Sequence, residues 1–422
     1  MNLLFPNGFL WGAATSSHQV EGNTINQWSE WELSEKRVCD LESRGLIKKN
    51  GLQNYISGKA CDHYNSFKED FKLAKILGHN AHRFSIEWSR VESEKGAFNE
   101  KEIKHYKEVI KTLRKLGIEP FVTLCHFTLP LWLEREGGWK SKNAPEYFAR
   151  YAEKMASALG KNVQFWITIN EPLIYASMSY LNGKWPPQKK NPFIFLDVIK
   201  NLIAGHKKAY EKIKERYPKS SVGIAKNNIY FEASPGFINT ITKKCADLLW
   251  NFYFLNKIKK YQDFIGLNYY FHNKINYGFN KNENKIISDI GWELFPEGIY
   301  YCLKDLKKYN KPIYITENGL ADVKDKHRVW FIEETLKNIY KAIQENVDAR
   351  GYLHWSLMDN FEWADGFLPC FGLVKIDYKT QKRSPRPSAL FYKNIIKQNG
   401  LPNLSTYDVN RLKKARKVKN SK

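Results

Sequence analysis

Eight strand-length apolar runs recur along this chain, most of them separated by amphipathic helical patterns. The runs occupy residues 10–19, 80–88, 118–126, 165–171, 222–227, 264–270, 312–317 and 350–359. Helical spacing of apolar residues covers 64–77, 103–116, 145–159, 197–215 and 327–345. Continuous apolar runs suit strands covered on both faces, and parallel strands need a helix-length crossover between them. The alternation predicts an α/β fold. Eight units favour a closed, single-domain (β/α)8 TIM barrel over an open doubly wound sheet. The open sheet wants a Gly-rich phosphate loop after its first strand. WGAATSSHQVEG stands there, without GxGxxG, and no Walker loop occurs elsewhere.

A length of 422 residues is compatible with one such barrel. No Gly-, Ser- or Pro-rich linker divides it, so residues 1–410 are expected to form one domain. The basic stretch 411–422, RLKKARKVKNSK, reads as a frayed tail. Irregular structure is expected at 37–59, 230–261 and 273–288, with a polar loop tip at 280–285. The net charge of +23 raises the question of nucleic acid. Its lysines are interleaved with glutamates along helical stretches, and no RNA-recognition or zinc-finger pattern accompanies them, so no nucleic-acid partner is expected. Six cysteines (39, 61, 125, 245, 302 and 370) form neither CxxC nor a compact framework. That favours a reducing compartment, and a cytoplasmic location is expected. The N-terminal segment lacks basic residues, and Pro6, Gly8 and Gly12 interrupt it, unlike a signal peptide. No apolar run reaches spanning length, and no membrane partner is expected.

Chemistry in a barrel of this kind sits at the C-terminal strand ends. The fourth run ends in TINEP, placing Asn170 and Glu171 side by side before Pro172. The other ends offer Gln19 and Glu21; Arg83, Glu87 and Trp88; His126; Asn268, Tyr269 and Tyr270; Glu317; and Trp355, Asp359, Glu362 and Trp363. Carboxylates, amides and indoles dominate. This set suits acetal cleavage, which needs a proton for the leaving oxygen and a carboxylate beneath the anomeric carbon. Amides bond hydroxyls in both senses, and Trp gives a flat apolar face with one N–H. His79 and His82 stand three apart at the start of a strand, not on one helix face. They read as structural, and neither a metal nor a cofactor is expected.

TINEP, YITENG and GYLHWSLMDNFEW resemble motifs of glycoside hydrolase family 1, the β-glucosidase and β-galactosidase family. FLWGAATSSHQVEG, RFSIEWSR, FIGLNYY and DIGWELFPEG do so as well, in family order from Phe9 to about Pro387. The resemblance implies a retaining β-glycosidase that hydrolyses terminal β-D-glucosyl residues, and β-D-galactosyl or fucosyl residues too, in small glycosides or oligosaccharides. It implies Glu171 as general acid/base and Glu317 as nucleophile. Asn170 would hold the sugar 2-hydroxyl, and Arg83 and Tyr270 would bond the nucleophile. Gln19, His126, Glu362 and Trp363 match the glycone-binding set, Trp355 the sugar platform, and Phe371 would close the glycone site. Two departures stand out: His126 is followed by Phe127 where the family commonly has Trp, and the segment after the fifth strand is short. The alternatives are a 6-phospho-β-glycosidase, whose phosphate-holding Lys and Tyr would fall at Pro369 and Phe371, and a non-catalytic barrel that only binds.

Overall fold

A computed structural model describes residues 3–401, so the tail expected at 411–422 lies outside the described residues. Eight parallel strands close on themselves: β1 (Leu10–Ala14), β2 (Ala81–Ser85), β3 (Glu119–Cys125), β4 (Phe165–Asn170), β5 (Ser221–Ala233), β6 (Phe264–Ile275), β7 (Ile313–Asn318) and β8 (Ala349–Trp355). Each pairs with the next, and β8 returns to β1 through Gly351 opposite Leu10. Around them run α1 (His63–Ile76), α2 (Glu100–Lys115), α3 (Ala144–Leu159), α4 (Pro192–Arg216), α5 (Phe237–Ala246), α6 (Gly298–Leu306), α7 (Arg328–Gln344) and α8 (Pro387–Gln398). The expected (β/α)8 barrel is the observed fold.

The lower barrel is filled by aromatic rings. Phe121 and Phe165 stack at 4.3 Å between ring centres, and Tyr314 meets both Phe121 and Phe264 edge-on. Leu10, Ala81, Ile167, Ala225 and Leu353 complete this plug. Strand alternation then carries polar side chains to the layer above it: Arg83 two residues after Ala81, Thr123 two after Phe121, Asn268 four after Phe264. Below the plug, Leu3–Leu4 pairs antiparallel with Gly400–Leu401. The segment that follows β8 returns as an antiparallel ribbon, Val374–Asp377 with Lys382–Pro385.

Five strands end away from expectation: the runs 80–88 and 350–359 leave the sheet early, at Ser85 and Trp355, and the first, fifth and sixth differ as well. The run 10–19 leaves the sheet after Ala14, and Ser17–Val20 forms one helical turn. β5 and β6 run several residues past their expected ends, as a ribbon in which Tyr230 to Ala233 pairs with His272 to Ile275. The segment 230–261, expected to be irregular, is mostly helical: α5 passes through a π-helical turn at Asp247–Phe252 into Tyr253–Ile258. Helices Glu35–Ser43 and Leu46–Asn50 likewise occupy 37–59. Glu35–Ser43, Leu46–Asn50 and α5 lack the core-directed apolar stripe that marks a crossover helix, whereas Tyr253–Ile258 buries Phe254, Leu255 and Ile258.

Candidate active site

At the C-terminal mouth lies a cavity of about 660 Å³, within the roughly 300–1,000 Å³ of small-molecule sites. Its walls include His126, Asn170, Glu171, Tyr270, Glu317, Trp355, Glu362, Trp363 and Phe371. Nine of the residues singled out in the sequence therefore meet at one place. Arg83 and Gln19 stand behind them. Other strand-end residues belong to the surrounding shell: Glu21 pairs with Arg90 at 2.8 Å, Glu87 accepts from Ser17, Ser89 and Thr128, and Asp359 forms a two-pronged pair with Arg386.

Glu317 ends β7 with both oxygens engaged. Arg83 Nη1 donates to Oε1 at 2.5 Å and the Tyr270 hydroxyl to Oε2 at 2.9 Å. Gly319, two residues on, lets the strand end pass against the Trp355 carbonyl, where a Cβ would overlap. Glu171 caps β4 with φ of 41°, a left-handed conformation unusual for Glu. Phe127 and Trp363 share that conformation, at 70° and 48°. All three line the cavity, where a strained backbone can hold a side chain in place.

One amide joins Glu171 to Asn170. Asn268 Nδ2 donates to Glu171 Oε1 at 2.9 Å and to Asn170 Oδ1 at 3.2 Å, while its Oδ1 accepts from Thr316. The guanidinium of Arg83 also donates to Asn170 Oδ1, at 2.6 Å. A guanidinium only donates, so the Asn170 orientation is fixed and its Nδ2 points at His126 Nε2, 3.1 Å away. That nitrogen accepts, and the proton sits on Nδ1, which has no protein partner. Burial, with the Arg83 charge second, holds His126 far below its ordinary pKa and keeps the ring neutral. The neutral ring stacks with Trp355 and Trp363, its centre 5.9 Å from each.

The two carboxyls differ in acidity. Burial first, and the Glu317 charge second, push Glu171 up to about 8. Burial raises Glu317 as well, but Arg83 and Tyr270 oppose it. Glu317 therefore loses its proton before Glu171 does. Burial and the neighbouring Asp365 push Glu362 well above the ordinary carboxyl range. Gln19 donates to Asn360, to the Phe361 carbonyl and, at 3.3 Å, to Glu362. It reaches the cavity only through Glu362.

Trp363 anchors an aromatic wall, 5.1 Å from Phe127, 4.7 Å from Trp28 and 6.0 Å from Trp185. Phe127 packs on Trp185 at 4.9 Å. Sequence reasoning quoted Asn268 at its strand end without giving it a role. It missed Trp185, which sits on a loop after β4 where no strand register points to it. That part of the wall is built from loops, whereas strand ends reach only the barrel rim.

A (β/α)8 barrel presenting two unequal carboxyls to a cavity walled by amides and indoles defines a glycoside hydrolase. The family model described as glycosyl hydrolase family 1 matches residues 1–256 and 240–401. A 1,4-beta-D-glucan glucohydrolase of Thermotoga neapolitana is 35% identical over 94% of this chain and 99% of its own. The structure of a beta-glycosidase from Pyrococcus horikoshii superposes with a TM-score of 0.85 at 39% identity, covering 96% and 97% of the two chains. That of a beta-glucosidase from Thermotoga maritima in complex with glucoimidazole gives 0.86 at 34% identity, covering 94% and 100%. The chain belongs to glycosyl hydrolase family 1 and is a β-glycosidase.

Proposed function

We propose that this protein hydrolyses terminal β-D-glucosyl residues, and galactosyl or fucosyl residues, with retention of configuration. Glu171 protonates the leaving oxygen, and Glu317 attacks the anomeric carbon to form a covalent glycosyl-enzyme. Esterification removes the Glu317 charge. Glu171 then becomes more acidic and takes a proton from the incoming water. The order of acidity of the two carboxyls carries this reading, since the acid must be protonated while the nucleophile is ionised. Asn170, held by Arg83, bonds the 2-hydroxyl, and the neutral His126 ring lies beside it. Glu362 and Trp363 line the far wall of the glycone pocket, with Trp355 as platform and Phe371 beside it.

A 6-phosphoglycoside fits this wall poorly. Pro369 and Phe371, which stand where a phosphate-holding Lys and Tyr would fall, supply no donor for it. The reading takes residues 1–410 as one catalytic unit, with the basic tail appended, acting in the cytoplasm. No described helix is long and apolar enough to cross a membrane.

Glu317→Gly tests the assignment. Turnover of nitrophenyl β-glucoside is expected to fall by several orders of magnitude, and added azide to restore part of it as the α-glycosyl azide. A variant that still hydrolyses near the wild-type rate would remove Glu317 from its role. A panel of nitrophenyl β-glucoside, β-galactoside, β-fucoside and 6-phospho-β-glucoside tests the sugar. The phosphorylated substrate is expected to be the poorest by a wide margin.

A further inference from the structure

Helix α5 and the π-helical turn after it carry their polarity inside out. The buried face holds Asn239, Asp247 and Asn251. Asn251 is fully engaged, donating to the Ile229 carbonyl and to Asp247 and accepting from the Ile229 N–H. Asn239 donates to the Pro235 carbonyl and accepts from the Tyr277 N–H. Facing solvent instead are Phe237, Ile238, Ile241, Leu248 and Leu249, exposed by 80%, 59%, 44%, 54% and 65%. Their spacing lays one stripe along the helix, with the exposed Cys245 near its middle. Tyr277, tied to Asn239 from the loop beyond β6, adds a ring that is 76% exposed.

Six such side chains expose on the order of 100 Å² each, a sum at the upper end of what monomers leave uncovered. It approaches the ~800 Å² that each partner contributes to a specific interface. We infer that this stripe docks on a second copy of the same chain in a two-fold contact, α5 against α5. The flanks choose this occupant over a lipid surface. On α5 itself Thr240 and Thr242 border the stripe, and Lys243 is neutralised by Asp247 at 2.6 Å, which leaves Lys244 as the one cation of that helix without an ion pair among the described residues. A helix lying on anionic lipid carries a lysine-rich border. A two-fold contact lays each border against its own copy, where like charges repel, so a border with few cations suits it. Each copy carries a net charge of +23, so the contact forms against long-range repulsion and tightens as salt screens it. The inference is independent of the catalytic roles assigned above.

Sedimentation velocity of the full chain at tens of micromolar tests it. Dimer is expected, with a fraction that rises with salt. Ile241→Glu combined with Leu248→Glu should be monomeric at every salt concentration, with unchanged nitrophenyl β-glucoside turnover. Both positions are exposed, so the substitutions do not touch the fold. A short bismaleimide should cross-link the wild type and Cys39→Ser but not Cys245→Ser. A wild type that is monomeric throughout, a dimer that survives the double substitution, or a cross-link that depends on Cys39 overturns the proposal. So does a monomeric wild type that floats with phosphatidylglycerol vesicles while the double variant does not, because lipid would then be the occupant.

Discussion

Asn268 sets the division of labour between the two carboxyls. It gives Glu171 a hydrogen bond from a neutral amide N–H, while Glu317 takes a guanidinium and a phenol. An amide favours the carboxylate form less than a cation does, so burial dominates at Glu171. Two consequences can be measured. The alkaline limb of kcat/KM should fall near the pKa of about 8 held by Glu171, because the acid is lost as pH rises through that value. In Glu317→Gln the negative neighbour is gone. Carbon-13 NMR of labelled carboxyls should then show Glu171 titrating lower than in the wild type, yet still above an ordinary carboxyl, since burial remains. An unchanged titration would mean that the two groups do not share a field.

The segment after β8 is the element on which the glycone wall depends. It carries Glu362 and Trp363, and its base is pinned by Asp359, which accepts two bonds of 2.9 Å from Arg386 at the start of α8. Both partners are buried, and removing one leaves the other charge uncompensated. Arg386→Ala should destabilise the protein by roughly 3–5 kcal/mol in denaturant titration. At temperatures where it stays folded, KM should rise more than kcat falls. Elements were legible in proportion to how their apolar residues face the core. β3, β4 and β7 lie within a residue or so of expectation because both faces are covered and the apolar run is continuous. The upper halves of β5 and β6 were not legible, since NNIYFEA leaves the barrel and loses that pattern. α5 was missed for the opposite reason: its apolar positions point away from the core. The site followed the same rule. Residues at the rim were readable from strand register, whereas Trp185 depends on a loop path that no periodicity encodes.

At the scale of the whole molecule, the site costs stability. A carboxyl whose folded pKa lies above its unfolded value contributes stability that is fully present below the unfolded pKa and lost as pH rises through the folded one. Glu171, raised from 4.5 to about 8, therefore weakens the folded state at neutral pH relative to mild acid. Glu171→Gln should raise Tm by several degrees at pH ~7 and by much less at pH ~4, measured by calorimetry at fixed salt. Equal shifts at the two pH values would show that charge burial is not the cause. The closing contact of the barrel has a consequence in time. Leu10 pairs with Gly351, so the first strand waits as an open edge until the last has been made. Joining ends so far apart in sequence is a slow, entropy-limited step. Trp355 arrives on that last strand and stacks with His126 from the third. Refolding should therefore give no partly active species: closure of the ring and assembly of the sugar platform are one event, and a chain that stops before β8 has neither.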